Sequence, residues 1–468
     1  MQFKPIARLP AMLLPTVALL AVSLAVSACG GGGSGNSNAV IDWPATPSWP
    51  ASIVWPAAPS WPASSGNGSP NSNSTPGTSI PANPANAPAN GPAAITPVAG
   101  PNTATITVDG KTSINQPYVT ITVCNPNARG NSQCVTVDRM ILDTGSTGVR
   151  VAASSLGTAF AAQLPAQTGA TDDPLGNSPI AQCATFGSGF TWGSIKQATV
   201  TIGGETSSVM PIEVIGDGAF ATPADCVAHG GPNLSSAAAL GANGLVGISN
   251  LVRDDPDSAT RIYPASYYYC TSAASCTNTR VPLDKQSMNP VAGFPVNNNG
   301  TIIRLPGLSS SGAVSATGQL VFGIGTQQNN IMPASANVLP VDQYGYFTSI
   351  YKGRMLHPSA IDSGTNILLF PDSTIATSSA NGFYAPASPL TLSAIFRSPG
   401  GTATPINVPF GIDNANKLWA TGNSAFNNIG ANASGIVLWG LPFFYGRSVY
   451  TALENTTVGA QAGPFVAF

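Results

Sequence analysis

Two short segments of the sequence place an aspartate in the same local setting. Residues 140–151 read MILDTGSTGVRV and residues 360–371 read AIDSGTNILLFP. Asp143 and Asp362 each follow apolar residues, and each precedes a hydroxyl residue, a glycine and a second hydroxyl residue. Two carboxyl groups held at hydrogen-bonding distance cannot both ionise cheaply, so they share one proton. If the fold brings Asp143 and Asp362 together, the pair supplies one base and one acid.

A base and an acid beside one water molecule can hydrolyse a carbonyl compound. The base activates the water for attack on the carbonyl carbon, while the acid protonates the carbonyl oxygen and later helps an amine to leave. A single Asp-Thr-Gly segment more often forms a turn or a helix cap. Two copies, each preceded by apolar residues within a β pattern, favour the catalytic interpretation.

The segments around both aspartates have the pattern of a mainly β protein. From residue 104 onward, short β-branched and apolar runs such as TATITV, YVTITV and ATVTI alternate with Gly, Asn, Pro and Ser. Such runs, without helical periodicity, are typical of strands. The segments QPYVTITVCNP and QCVTVDRMILD predict a hairpin whose second strand delivers Asp143 to its turn.

Several further motifs in residues 104–468 resemble those of the pepsin-like aspartic peptidases. FGSGFTWG at 186–193 resembles the flap hairpin that closes over the cleft in that family. GLVGI at 244–248 and VLWGL at 437–441 resemble the apolar segments that pack behind each catalytic turn. GQLVFGIG, VLPVDQYGYFTSI and LWGLPFFYGRSVYTALE are also similar to runs in the family's second lobe. We expect a proteobacterial lipoprotein family of uncharacterised function with this fold, rather than a eukaryotic digestive enzyme.

The resemblance implies a mainly β, two-lobed pepsin-like aspartic protease fold with the active cleft between the lobes. The lobes would span residues 104–298 and 299–468, and Asp143 and Asp362 would form the catalytic dyad. A long cleft under a flap binds an extended polypeptide, so the implied activity is that of an endopeptidase. The resemblance implies a peptide or protein substrate, a monomer, and neither a metal nor an organic cofactor.

Three pairs of residues would support the two turns by the same resemblance. They are Thr144 and Ser363, which would cross-link the turns by hydrogen bonds, Ser146 and Thr365, which would hold the outer carboxylate oxygens, and Gly145 and Gly364, which would let each turn form.

The flap segment carries the main departure from the family pattern. Phe186 stands where the family has a tyrosine, and Gly187, Ser188 and Gly189 follow it. The phenyl ring can still cover the site, but the hydroxyl that helps to fix water and substrate is absent. Two functions therefore remain open. The protein is either an active endopeptidase or a non-catalytic envelope lipoprotein of this fold that binds peptides or cell-envelope partners.

The N-terminal residues predict export and a lipid anchor. Residues 1–28 contain Lys4 and Arg8 followed by a mostly apolar stretch, which is the pattern of a signal peptide. Val-Ser-Ala-Cys at 26–29 resembles a lipobox, which is cleaved before a cysteine that receives lipid, so Cys29 is the predicted lipidation site. The glycine after Cys29 favours the outer membrane, by resemblance to other bacterial lipoproteins. A plain signal peptide or a single membrane anchor is the alternative.

Residues 29–103 predict a disordered tether rich in Gly, Pro, Ala and Ser, because such a composition cannot bury enough apolar surface to fold alone. Four tryptophans in the tether each precede a proline and recur every six residues: Trp43, Trp49, Trp55 and Trp61. A polyproline II helix has three residues per turn, so these indoles would lie along one edge of it. The repeats would either stiffen a spacer or form a docking strip for an envelope partner or lipid headgroups.

Six cysteines follow Cys29, and an even number favours disulfides in an exported protein. Six cysteines permit fifteen pairings, and the sequence does not choose among them. The near-neighbour pairing would join Cys124 with Cys134, Cys183 with Cys226, and Cys270 with Cys276.

The composition argues against several other function classes. Charged residues are 8% of the chain and the formal net charge is −2, so the chain lacks the basic surface of a nucleic-acid-binding protein. His229 and His357 are the only histidines, which argues against a histidine-rich metal site. Asp254, Asp255 and Asp257 lack the ligand spacing of a calcium site, and we expect them on an exposed loop.

Overall fold

The structure is a computed structural model that describes residues 91–127, 133–229, 231–379, 382–401, 403–433 and 435–468. The predicted signal peptide, Cys29 and the Trp-Pro repeats lie outside these residues and stay predictions. Within them the protein is mainly β, as the sequence predicts. None of the helices in these ranges combines the length and the apolar character needed to cross a membrane.

The first half of the described chain consists mostly of strands joined by short connections. The strands are β1 (Ala93–Ala94), β2 (Thr103–Val108), β3 (Tyr118–Cys124), β4 (Cys134–Asp143), β5 (Thr147–Ala152), β6 (Ile180–Phe186), β7 (Gly189–Ile202), β8 (Glu205–Thr206), β9 (Met210–Ile215), β10 (Gly244–Ile248), β11 (Tyr267–Ser272) and β12 (Ser275–Asn278). The α-helices here are α1 (Ala153–Leu156), α2 (Thr158–Gln163), α3 (Ala224–His229) and α4 (Ala237–Leu240), with 3₁₀ turns at Pro256–Ala259, Leu283–Lys285 and Pro290–Gly293.

The second half of the described chain also consists mostly of strands. Its strands are β13 (Gly300–Arg304), β14 (Ala316–Phe322), β15 (Val338–Pro340), β16 (Phe347–Tyr351), β17 (Arg354–Ile361), β18 (Leu368–Phe370), β19 (Leu390–Arg397), β20 (Ile406–Ile412), β21 (Gly430–Asn432), β22 (Val437–Trp439), β23 (Ser448–Ala452), β24 (Thr457–Val458), β25 (Gln461–Ala462) and β26 (Phe465–Ala467). Helix α5 spans Ala415–Trp419, and 3₁₀ turns lie at Gln328–Asn330, Pro399–Gly401 and Leu441–Phe443.

Hydrogen bonding joins the described strands into two large sheets and one small one. Strands β16 to β22 form a 7-stranded sheet, β24 pairs with β25, and the remaining strands belong to a 17-stranded sheet. This larger sheet contains strands of both halves, because β13 pairs with β14 and β23, and β14 pairs with β2. The division between lobes at residues 298 and 299 stays a prediction, since both halves contribute to this shared sheet.

The same arrangement of four strands occurs once in each half. In the first half, β10 lies between β4 and β5, parallel to β4 and antiparallel to β5, and β5 is also parallel to β9. In the second half, β22 lies between β17 and β18 with the same directions, and β18 is parallel to β21. Asp143 ends β4 and Asp362 follows β17. Each aspartate therefore begins the turn that joins the two strands on either side of the middle strand, β4 to β5 and β17 to β18. This repetition agrees with the two-lobed fold class predicted from the sequence.

The second lobe, which contains no cysteine, has an aromatic core behind the Asp362 turn. The ring centroid of Trp439 lies 4.8 Å from that of Phe396 and 5.0 Å from that of Phe410. The indole Nε1 of Trp439 donates a hydrogen bond to Ser349 Oγ at 3.0 Å. Aromatic pairs of this kind contribute about 0.5–1.5 kcal/mol each beyond the burial of their area. Because Trp439 ends β22, this packing fixes the strand against which the turn rests.

Residues 91–103, which the sequence analysis assigns to the tether, contact the body of the protein in the structure. Strand β1 pairs in parallel with β14, and the amide of Val98 donates to Gln319 Oε1 at 2.8 Å. Asn102 is fully buried, and its Nδ2 donates to the carbonyl of Phe322 at 2.8 Å. The packed part of the chain therefore extends before residue 104.

Three disulfides join neighbouring elements of the first half, so the expectation of disulfides is confirmed. The pairs are Cys124–Cys134 between β3 and β4, Cys183–Cys226 between β6 and α3, and Cys270–Cys276 between β11 and β12. This is the near-neighbour pairing among the fifteen that the sequence leaves open.

Candidate active site

The turns after β4 and β17 meet and bury both aspartates. Asp143 is 1% exposed and Asp362 is 0% exposed. Their carboxyl groups hydrogen-bond to each other. The fold thus brings together the two aspartates that the sequence singles out, although they lie in different lobes.

Each carboxyl group accepts an equivalent pair of hydrogen bonds from its own turn. The amide of Gly145 donates to Asp143 Oδ1 at 2.8 Å, and Ser146 Oγ donates to Oδ2 at 2.5 Å. In the second turn, the corresponding glycine amide donates to Asp362 Oδ1 at 2.9 Å, and Thr365 Oγ1 donates to Oδ2 at 2.7 Å. These bonds orient both carboxyl groups before any ligand arrives.

The first hydroxyl residue of each turn links it to the other turn. The amide of Thr144 donates to Ser363 Oγ at 3.0 Å, and the amide of Ser363 donates to Thr144 Oγ1 at 2.9 Å. Thr144 Oγ1 donates in turn to the carbonyl of Ile361 at 3.2 Å, and Ser363 Oγ donates to the carbonyl of Leu142 at 2.8 Å. The cross-link is a symmetric set of four bonds, all of them buried.

Gly145 and Gly364 are required by the close approach of the two turns. A methyl group on Gly145 would lie 2.6 Å from Asp362 Cγ, and one on Gly364 would lie 2.5 Å from Asp143 Oδ1. Neither glycine has a positive φ, so each turn could form with another residue. The structure therefore gives a different reason for these glycines from the one that the resemblance implies.

Burial and hydrogen bonding separate the pKa values of the two aspartates. Burial, together with the negative charge of Asp143, raises the pKa of Asp362 to about 6. Burial acts in the same direction on Asp143, but hydrogen bonds from Asp362, Ser146 and Gly145 stabilise its charged form, and its pKa lies below the ordinary value. Between these two pKa values the pair holds one proton, with Asp143 as the base and Asp362 as the acid.

Strands β10 and β22 each have a glycine where they pack against an aspartate turn. A methyl group on Gly247, which lies in β10, would come within 2.8 Å of the backbone of Ser146. A methyl group on Gly440, which follows β22, would lie 2.1 Å from the carbonyl oxygen of Ile367 and 2.4 Å from that of Thr365. The segments GLVGI and VLWGL thus lie directly behind the two turns.

Comparison with known families places the chain in one of them. A family model described as "Protein of unknown function (DUF3443)" matches residues 99–468. The chain belongs to the DUF3443 family. No curated protein matches its sequence. Among solved structures, the aspartic proteinase from Irpex lacteus is similar with a TM-score of 0.42 and 16% sequence identity, over 78% of this chain and 96% of that chain.

Strands β6 and β7 of this DUF3443 chain form the hairpin that the sequence predicts as a flap. Phe186 pairs with Gly189 across the turn at residues 187–188. The ring of Phe186 is half-buried and packs against a small cluster that includes Ile141. Since alternate residues of a strand share a face, Ile141 lies on the same face of β4 as Asp143. The hairpin tip therefore packs beside the first aspartate turn.

Arg150 is a candidate functional residue that sequence reasoning missed. It lies in β5, directly after the first turn, and its side chain is 0% exposed. Its Nε is 2.9 Å from Glu213 Oε2, and its Nη2 is 3.3 Å from Asp254 Oδ2. The available signal was a cation inside the apolar run GVRVAA, in a chain of which only 8% is charged.

Two of the three acidic residues expected on an exposed loop are buried, so that expectation was wrong for them. The side chain of Asp254 is 0% exposed, and Asp255 accepts hydrogen bonds from Ser258 Oγ at 2.5 Å and Ser266 Oγ at 3.1 Å. These polar partners compensate for the burial of the carboxylates. Among the described residues, no three His, Cys, Asp or Glu side chains are grouped as in a metal site.

Proposed function

We propose that this protein is a pepsin-like aspartic endopeptidase. The observation that carries the proposal is the buried, hydrogen-bonded pair of Asp143 and Asp362, whose pKa values are shifted in opposite directions. Peptide hydrolysis by activated water needs a base and an acid at the same place and at the same pH. Two carboxyl groups whose environments separate their pKa values meet that need.

The proposed reaction begins with a water molecule between the two carboxyl groups. Asp143 takes a proton from this water while the water oxygen attacks the peptide carbonyl carbon. At the same time Asp362 gives its proton to the carbonyl oxygen. The resulting tetrahedral diol then collapses. Asp143 passes its proton to the nitrogen as the C–N bond breaks, and Asp362 recovers a proton from one hydroxyl of the diol. The pair ends with its single proton restored and the peptide bond hydrolysed.

The residues around the pair would keep it in place during this reaction. The hydrogen bonds from Gly145 and Ser146 to Asp143 are already formed, so little reorganisation is needed as charge moves. The proposed substrate is an extended polypeptide lying between the lobes and under the hairpin tip, because a strand-like chain offers its main-chain groups to such a cleft. By the pepsin-like resemblance, apolar side chains would flank the cleaved bond.

The proposal also places the protein on the bacterial outer membrane, held by lipid on Cys29. The lipobox-like residues 26–29 and the following glycine support this location. As a random coil, residues 30–90 would let the body stand roughly 40–45 Å from the anchor. We expect the full chain to incorporate labelled fatty acid and to fractionate with membranes, and Cys29→Ser to do neither. Unchanged lipid labelling of Cys29→Ser would exclude this anchor.

A non-catalytic peptide-binding protein is the second candidate. The observation that favours it is Phe186, since a phenyl ring at the flap tip cannot donate a hydrogen bond to water or substrate. In that case the body, or the Trp-Pro repeats, would bind peptides or envelope partners and leave them intact.

The test of the proposed function is cleavage of a mixed peptide library by the full chain between about pH 3 and pH 7. Parallel reactions contain an inhibitor that mimics the tetrahedral diol. We expect cleavage at acid pH that stops when one inhibitor is bound per chain. If the protein remains folded by circular dichroism and cleaves nothing across this range, the endopeptidase is excluded, and bound library peptides would then identify the binding function.

A further inference from the structure

A buried ionic cluster lies beneath the flap hairpin, beside the first aspartate turn. It consists of Arg150 in β5, Glu213 in β9 and Asp254 after β10, and the side chains of all three are 0% exposed. We call it the Arg150 cluster. Besides the two carboxyl groups, the guanidinium donates from Nη1 to the carbonyl of Thr147 at 2.8 Å, which ties it to the end of the turn that begins at Asp143.

Both strands of the flap hairpin are bonded to this cluster. On β6, Gln182 Nε2 donates to Asp254 Oδ2. On β7, Thr191 Oγ1 lies 3.2 Å from Glu213 Oε1 and donates to it. The cluster therefore contacts both strands of the hairpin and also the turn that begins at Asp143.

The tip of the hairpin contacts the same guanidinium. The carbon at the centre of the Arg150 guanidinium lies 5.7 Å from the ring centroid of Phe186. At this distance a cation is attracted by the face of an aromatic ring, and more strongly where water is excluded. The Phe186 ring can therefore bind to the body of the protein through Arg150, although it has no hydroxyl group.

The energetics of the Arg150 cluster indicate a role other than fold stability. Burying a guanidinium and two carboxyl groups carries a desolvation cost that in many proteins their attraction only offsets, and apolar side chains of the same volume often stabilise a core at least as well. Such a cluster does, however, fix the relative positions of the elements that bear its members. Here those elements are the two flap strands and the strand that follows Asp143.

We propose that Arg150 is a positioning residue that holds the flap hairpin closed against the Asp143 turn, through Glu213, Asp254 and the ring of Phe186. Opening of the hairpin then separates Thr191 and Gln182 from their partners and admits water to the cluster. This inference assigns a mechanism to the flap and rests on the proposed endopeptidase for its catalytic meaning. The closure itself can be measured without catalysis.

Protonation of Glu213 gives this closure a pH dependence. Burial, opposed by the charge of Arg150 and reinforced by that of Asp254, raises the pKa of Glu213 to about 8. Tyr267 is a further titratable group at the cluster. Its hydroxyl donates to Asp254 Oδ2 at 3.2 Å, and burial raises its pKa well above the ordinary value, so it stays neutral. In the closed hairpin, Glu213 therefore holds a proton that it would release in water.

The sign follows from this difference in proton binding. A hydrated Glu213 has the ordinary pKa of 4.5, whereas in the closed hairpin its pKa is about 8. The closed state binds the extra proton, so closure is favoured fully below pH 4.5 and weakens as the pH rises to about 8. The flap is therefore held most firmly at the acid pH where the aspartate pair carries one proton.

The experiment is hydrogen exchange of the full chain, read by mass spectrometry on peptides that cover residues 180–202 and corrected for the intrinsic rate at each pH. In the wild type we expect protection of the hairpin to fall at least tenfold between pH 5 and pH 8. Glu213→Gln cannot ionise, so its protection should change less than twofold. Glu205→Gln, which alters a buried glutamate bonded to Asn297 outside the cluster, is the matched control and should behave as the wild type. The same pH dependence in Glu213→Gln would overturn the inference.

Two variants of Phe186 test the contact with Arg150. Phe186→Leu keeps an apolar side chain but no ring face, and we expect several-fold lower protection of residues 180–202 at pH 5, with only a small fall in the unfolding midpoint, because global unfolding loses no more than this one contact. Phe186→Tyr retains the ring and should keep the protection. If cleavage is absent while these exchange results hold, the proposed function fails and the flap inference stands. If cleavage is present and exchange is unaffected by Phe186→Leu and Glu213→Gln, the inference fails and the function stands.

Discussion

Thr144 and Ser363 exchange hydrogen bonds between the two lobes, with the amide of each donating to the hydroxyl of the other at 3.0 and 2.9 Å. Each hydroxyl then donates to a main-chain carbonyl of the opposite lobe, at Ile361 or Leu142. The backbone of one turn is thereby fixed to the backbone of the other. Because both carboxyl groups belong to these turns, the cross-link helps to fix the distance between them.

Removal of one hydroxyl from the cross-link should destabilise the protein. Ser363→Ala leaves the amide of Thr144 and the carbonyl of Leu142 buried without this partner, and such a loss costs about 1–3 kcal/mol. We expect a corresponding fall in the free energy of unfolding, measured by denaturant titration, and reduced peptide cleavage. Ser188→Ala at the exposed flap tip is the control and should change stability by no more than about 0.5 kcal/mol. Equal effects of the two substitutions would contradict the importance of the cross-link.

A methyl group at Gly145 should separate the aspartate pair. Its Cβ would lie 2.6 Å from Asp362 Cγ, so one turn must move. Because a displacement of about 1 Å can cost roughly 100-fold in rate, we expect Gly145→Ala to lower kcat/KM by about that factor. Gly307→Ala is the control, since the nearest atom to its Cβ is 4.0 Å away. A Gly145→Ala variant as active as Gly307→Ala would show that the pair tolerates separation.

The pH dependence of cleavage should reflect the single proton on the pair. Asp362, with its pKa raised to about 6, must be protonated, so kcat/KM should fall as the pH rises through about 6. Asp143 must be ionised, and because its pKa is lowered, activity should persist to below its ordinary value of 3.8. The measurement is kcat/KM for one library-derived peptide from about pH 2.5 to 8. Activity that is maximal near pH 8 would be incompatible with this assignment.

The disulfide between the flap strand and α3 should contribute more to stability than the one within the β11–β12 hairpin. Cys183–Cys226 closes a loop with a sequence separation of 43, against 6 for Cys270–Cys276. Loop-closure entropy then gives about 4 and about 2 kcal/mol respectively. Paired alanine substitutions of each disulfide, compared by denaturant titration, should show that order. The reverse order would indicate that strain or residual structure outweighs loop length.

Much of the candidate site could be predicted because its signals are local in sequence. Each aspartate, its following glycine and its second hydroxyl lie within four consecutive residues, and the hydrogen bonds of Ser146 to Asp143 and of Thr365 to Asp362 are formed inside one turn. The mainly β fold likewise follows from short runs of β-branched residues. The even number of cysteines predicted disulfides, but which of the fifteen pairings forms became clear only from the structure, which has the near-neighbour one.

The features that could not be predicted depend on residues far apart in the chain. The constraint on Gly145 comes from the Asp362 carboxyl group in the other lobe. The Arg150 cluster takes members from β5, β9 and the segment after β10, and the sequence near Asp254 resembled an exposed acidic loop. A buried cation can be suspected from an apolar run, but its partners become visible only when the strands are assembled.

The most direct test of the central claim is cleavage of the peptide library by the full chain beside Asp143→Asn and Asp362→Asn, at about pH 4 and with folding checked for each. Asparagine keeps the size of the side chain but can neither hold the shared proton nor act as a base. We predict cleavage by the wild type and a loss of at least 1,000-fold in each single variant. Cleavage that survives in either folded variant would contradict a mechanism that uses both aspartates.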